Sequence, residues 1–101
     1  MLPQHIKTGD FIAVGAYYNG QLVATASIVI DDDGIAGFYN DSTLEQYRNK
    51  GIATKLYHYR LKLIKNMGIK QAIVQTSPMA TSLAKKVGFT QVTNYKIYMY
   101  E

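Results

Sequence analysis

Residues 11–18 and 22–30 form two mostly apolar runs, and from Ile52 onward apolar positions step at helical spacing. The first two runs, Phe11 to Tyr18 and Leu22 to Ile30, are rich in β-branched and aromatic residues, which suit a half-buried pleated surface. Asn19-Gly20 separates them, and this dipeptide between two such runs predicts a type I′ hairpin. In the second run Leu22, Ala24, Ala26, Ile28 and Ile30 share one face by period two. Asp31 to Gly34 reads as a polar turn. Its three adjacent carboxylates lack the spacing and the distal glutamate of a calcium loop. A third strand is expected over about Ile35 to Thr43. The ten residues before Phe11 read as a tail that includes His5.

The clearest element lies further on. Ile52, Leu56, Tyr59, Leu63 and Met67 draw one apolar stripe, with Lys55, Lys62 and Lys65 largely off it. Gly68 is a natural stop. Residues 71–76 form a short apolar run, the pattern of a buried parallel strand. Ser77-Pro78 then opens a second helix, lined by Ala80, Leu83 and Val87 and closed by Gly88. Phe89 to Tyr100 supplies one long or two short strands. The predicted order is β-β-β-α-β-α-β, with antiparallel hairpins first and crossovers later. The fold class is therefore α/β (α+β): a mixed, mostly antiparallel sheet with two helices packed on it.

The chain has 101 residues, room for one domain, read here as residues 11–101 after the tail 1–10. With no cysteine there is no disulfide framework, thiol nucleophile or zinc–cysteine site, which fits a reducing cytoplasm. No run is long and apolar enough to span a membrane, so no membrane partner is expected. The net charge of +4 is unevenly placed: every Lys and Arg except Lys7 lies between Gln46 and Tyr100, where there is no acid. That half prefers anions. A nucleic-acid partner ranks last among the anionic ones, because no aromatic-basic motif of such a module is present. The acids and the two histidines, His5 and His58, assemble neither a metal cluster nor a Ser-His-Asp triad.

The candidate chemistry sits at Arg48-Asn49-Lys50-Gly51-Ile52-Ala53-Thr54. This loop carries two cations and a glycine and runs straight into the amphipathic helix. A helix N-terminus presents unpaired N–H groups and the positive end of the helix dipole, and glycine lets an anion approach the backbone. The pattern R-x-x-G-x-A resembles the pyrophosphate loop of the GNAT acetyltransferases. Two longer stretches, GFYNDSTLEQYRNKGIATKL at 37–56 and QTSPMATSLAKKVGF at 75–89, are similar to that family's cofactor strand, loop and helix and to its next strand and helix. The Tyr-rich closing strand adds to the likeness, which covers about residues 11–100.

The resemblance implies a GNAT-like acyl-CoA N-acyltransferase fold and an enzyme that moves an acetyl group from acetyl-CoA to an amine of a small molecule or peptide. It implies that amides of Arg48, Asn49, Lys50, Gly51, Ile52 and Ala53 cradle the pyrophosphate with the Thr54 hydroxyl nearby. The strand backbone at Asp41 to Leu44, Thr43 included, would hold the pantetheine arm in a splay of the sheet. Ser77 stands where many relatives carry asparagine; the resemblance would let Lys85 or Lys86 reach the nucleotide phosphates, although a solvated helix face is the stronger reading for both. Glu45, or in its place Asp41, is the candidate base. No metal is implied.

The sequence departs from the family in two places. Ala84 stands where many relatives place the tyrosine that protonates the leaving thiolate, leaving Tyr39, Tyr47 and Tyr95 as unplaced candidates. The family's first strand and first two helices are expected to be missing. That points to a fragment of a longer protein, a homodimer that completes the sheet edge, or a reduced family member. Ala84 and the missing third also leave open a non-catalytic CoA-binding or interaction module.

Overall fold

The computed structural model describes residues 2–75, 78–91 and 97–100. Seven strands form one sheet: β1 (Leu2–Thr8), β2 (Phe11–Tyr18), β3 (Gln21–Ile30), β4 (Ala36–Thr43), β5 (Ala72–Gln75), β6 (Thr90–Gln91) and β7 (Ile97–Tyr100). Their order is β1-β2-β3-β4-β5-β7-β6. All pairs are antiparallel except β4 with β5. Helix α1 (Ile52–Asn66) connects β4 to β5, and helix α2 (Pro78–Lys86) follows β5.

The tail is a correction. Residues 2–8 pair along their full length with β2, from Leu2 opposite Tyr17 to Thr8 opposite Phe11. A first strand is thus present, joined to β2 by a tight turn, while no helix stands between them. His5 is placed with it: its Nδ1 lies 2.7 Å from the Tyr59 hydroxyl of α1. The strand escaped hydrophobic pattern reading because it buries almost nothing; Ile6 is 73% exposed. Backbone pairing and that one side-chain link to the helix hold it.

Asn19-Gly20 makes the expected hairpin, with φ of 50° and 79° at the two central residues. The face prediction for β3 needs one change. Ala16 pairs with Ala24 and Tyr17 with Leu22, so Val23 is an extra residue in the ladder. This bulge turns Val23 inward and sends Leu22 to the opposite face, while Ala24, Ala26 and Ile28 stay in the core.

Both crossovers, β4-α1-β5 and β5-α2-β6, advance in the same direction along the sheet. Right-handed connections therefore put both helices on one face. The core lies between them and Ile12, Val14, Ala26, Ile28, Ala36 and Phe38. Phe89 locks the second helix there, its ring 5.9 Å from Phe38 and 5.7 Å from Tyr57. It is aimed by a Schellman turn: Gly88 N–H donates to Lys85 O and Phe89 N–H to Ala84 O, with Gly88 at φ 110°.

The helix stripe is also rotated from its expected setting. The buried positions of α1 are Ile52, Leu56, Tyr57, Arg60 and Ile64; Tyr59 and Leu63 are half-buried and Met67 is exposed. Hydropathy alone could not select that face, because its centre is an arginine.

Candidate functional site

Arg60 is 0% exposed. Its guanidinium lies between two rings, 4.3 Å from the Phe38 centroid and 4.8 Å from that of Tyr57. Nε donates to Leu56 O and Nη1 to Ser27 O; Nη1 and Nη2 donate to the two Asp41 oxygens at 2.9 and 2.6 Å. The fork geometry of arginine matches both carboxylate oxygens at once. Asp41 reaches it through a second bulge: Asn40 and Asp41 of β4 stand opposite Ala26 alone, between the pairs Ser27–Tyr39 and Thr25–Ser42. The extra residue re-aims the aspartate toward α1. Sequence reasoning missed Arg60 altogether and considered the Asp41 side chain only as a base, beside a role for its backbone in holding the pantetheine arm.

Burial pushes the Tyr57 hydroxyl up to about 12; the Asp41 carboxylate adds to the rise and Arg60 opposes it. An unfolded tyrosine loses its proton near pH 10, so between pH 10 and 12 the unfolded chain is ionised here and the folded chain is not. Stability should therefore fall as pH rises through that window. Denaturant midpoints at pH 9 and pH 11 should separate more for the wild type than for Tyr57→Phe. Equal separations would refute this assignment.

Before that bulge β4 loses one of its two strand partners. It pairs with β5 only through Ala36, Gly37 and Phe38, yet stays paired with β3 as far as Thr43. Among the described residues, the β4 edge that faces β5 has no strand partner from Tyr39 to Thr43. Backbone groups on that side can pair with an extended ligand, apart from two carbonyls already engaged: Tyr39 O accepts from Ser27 Oγ and Thr43 O from Arg48 Nε. Just beyond lies a 3-10 turn, Glu45–Tyr47, and then the loop into α1.

A cavity of about 270 Å³ opens there, lined by Thr43, Tyr47, Arg48, Asn49, Gly51, Ile52, Ala53 and Thr54. Gly51 is the N-cap of α1 at φ 79° and ψ 8°, and no side chain caps the helix. A Cβ added at Gly51 would meet nothing within 4 Å, so the space beside its backbone is open. No acid stands in the first turn to compete with an anion. Arg48 is tied back by its Nε–H to Thr43 O at 3.1 Å, which pins the loop to the end of β4. The donor set suits a diphosphate: amides at a helix start, a nearby arginine and a hydroxyl.

Seven of the ten expected cofactor residues thus line one cleft: Thr43, Arg48, Asn49, Gly51, Ile52, Ala53 and Thr54. Leu44 and Lys50 are exposed outside its lining, and Ser77 lies outside the described residues. Glu45 opens the 3-10 turn and is exposed. The two oxygens of Asp41 are both engaged by Arg60, which leaves neither to act as the expected base. Ala84 is buried, Tyr47 lines the cleft, Tyr39 is exposed on the opposite sheet face, and Tyr95 lies outside the described residues. His58 is exposed.

The model of the acetyltransferase (GNAT) family matches residues 2–89. The chain belongs to that family. Solved structures with the GNAT fold superpose on it closely. The PaiA N-acetyltransferase from Thermoplasma acidophilum, in complex with coenzyme A, gives a TM-score of 0.81 at 20% identity, over 91% of this chain and 61% of that one. The ribosomal-protein-S18-alanine N-acetyltransferase from Escherichia coli gives 0.83 at 17%, over 93% and 70%. An IAA acetyltransferase from Bacillus cereus gives 0.78 at 20%, over 83% of this chain and 58% of that one. At these identities the likeness is one of fold. No curated protein matches the chain significantly. No helix among the described residues is long and apolar enough to cross a membrane.

Proposed function

We propose that this GNAT chain binds acetyl-CoA and transfers its acetyl group to an amine of a small molecule or peptide, as a cytoplasmic enzyme. The continuity of a free strand edge with an uncapped helix start carries the reading. The edge from Tyr39 to Thr43 offers peptide-like hydrogen bonds to a pantetheine arm, and it leads into the cleft where the Gly51 to Thr54 amides suit the diphosphate.

Transfer needs a neutral amine to attack the thioester carbonyl. The C–S bond then breaks as the new C–N bond holds the acetyl group, the amine loses a proton and the thiolate gains one. With Asp41 engaged by Arg60, Glu45 is the better candidate to accept the amine proton, acting through water. Glu45→Gln should lower kcat about 100-fold, the low end of general-base effects, with acetyl-CoA affinity unchanged. An unchanged kcat would remove Glu45 from the mechanism. For the thiolate proton, Tyr47 lines the cleft and carries a hydroxyl, whereas Ala84 has none to give.

The lack of a donor at Ala84 also favours a second reading, a CoA-binding module without transfer. Calorimetry with acetyl-CoA tests both readings at once, and absence of binding would overturn both. Thiol release over a panel of amines, including N-terminal alanine peptides and polyamines, separates them. Release above the no-amine rate supports the enzyme, and binding without release supports the module. A homodimer forms part of the proposal.

A further inference from the structure

The helices cover one face of the sheet and nothing among the described residues covers the other. Cross-strand pairing places Ile6, Phe11, Tyr17, Leu22, Val29 and Tyr39 together on that uncovered face, each between 39% and 73% exposed. Their neighbours on the same face of β1 to β4 are small or uncharged polar residues, such as Ala13, Gly15 and Thr25. No charged side chain stands among these paired positions. The Tyr39 ring lies across Gly37 and the Leu22 side chain across Gly15; a Cβ at either glycine would collide with them.

We propose that a second copy of this chain packs on that face, sheet against sheet. Area supports this occupant. A compact monomer of 11.3 kDa exposes about 5,700 Å², whereas this chain exposes 6556 Å². The excess of roughly 800 Å² matches what one partner loses in a standard interface. The Cα envelope measures 37 × 30 × 17 Å, one sheet and one helix layer thick. A second sheet at about 10 Å completes the layered core that the first lacks.

Charge selects the partner. The basic residues of α1 and its loop lie off this face, so it offers nothing for a nucleic acid or a charged peptide to recognise. Two copies meeting here bring no like charges together and turn their net charge of +4 outward. Depletion of charge with enrichment of aromatics is the composition of interface centres. Edge-to-edge pairing through β1 is the weaker arrangement: Pro3 has no N–H to offer, and Lys7 adds charge to the edge.

Light scattering after size exclusion, at about 50 µM chain, tests this. The wild type should run at twice the monomer mass. Leu22→Lys, at an exposed position, should weaken dimerisation at least ~30-fold, as for an interface hot spot. Its circular dichroism and acetyl-CoA affinity should stay unchanged. Phe11→Lys, also exposed on this face, provides a second variant should the first fail to fold, and Lys62→Glu on the helix side should leave the dimer intact. A wild-type monomer overturns the proposal, whether or not it partitions onto phosphatidylcholine vesicles. So does a dimer that survives both face substitutions, which would place the contact at the β1 edge or elsewhere.

Discussion

Replacing Asp41 by alanine should cost about 3–5 kcal/mol of folding stability, because it strands the Arg60 guanidinium in the core without its counter-charge. A domain of this length has about 5–15 kcal/mol in total, so the variant should be largely unfolded in mild denaturant. The magnitude follows from asymmetry. The buried ion pair adds little over a well-packed apolar pair, since desolvation offsets most of its attraction. Removing one partner keeps the desolvation cost and forfeits the attraction. Arg60→Met should therefore be far milder than Asp41→Ala: methionine can fill the slot between Phe38 and Tyr57, and Asp41, a third exposed on its side chain, turns to water. The double variant should recover at least half of what Asp41→Ala loses. Urea titrations of the four proteins decide this. An Asp41→Ala variant within about 1 kcal/mol of wild type would show that Arg60 finds other partners, and the clamp would lose its place in the account.

The same pair explains what the amino-acid sequence could and could not reveal. Elements written in local chemistry were legible: the Asn19-Gly20 hairpin, the glycine that opens α1, and the Gly88-Phe89 stop; the clustering of Thr43 with the loop into α1 was implied by the family resemblance. Each depends on residues within a few positions of one another. What escaped depends on pairing between distant segments. The bulges at Val23 and at Asn40-Asp41 exist only relative to the strands opposite them, yet they set which face Leu22 occupies and where Asp41 points. Arg60 was invisible because hydropathy assigns arginine to the surface; its burial needs Asp41, Phe38 and Tyr57 in place first. Strand β1 was invisible because backbone pairing holds it rather than apolar burial. The site's frame was thus readable, while the clamp that holds β4 at the start of its free edge was not.

Substituting Gly51 is the sharpest test of that frame. Gly51→Val should abolish acetyl-CoA binding, a loss of at least ~100-fold, by putting a branched side chain where the diphosphate would meet the amides. Part of the effect would be strain, since a β-branched residue at φ 79° costs on the order of 1–2 kcal/mol. Gly51→Asn separates the two causes. Asparagine tolerates the left-handed conformation and its neighbour Asn49 already adopts it, at φ 61°. Because a Cβ at Gly51 meets nothing within 4 Å, the apo fold has room for the new side chain. Gly51→Asn should therefore melt within a few degrees of wild type and still lose most of its affinity. Calorimetry and thermal melts read the two effects independently. Wild-type affinity in a folded Gly51→Asn protein would mean that the cofactor's phosphates lie elsewhere, and the free edge of β4 would have to be read without the loop that follows it.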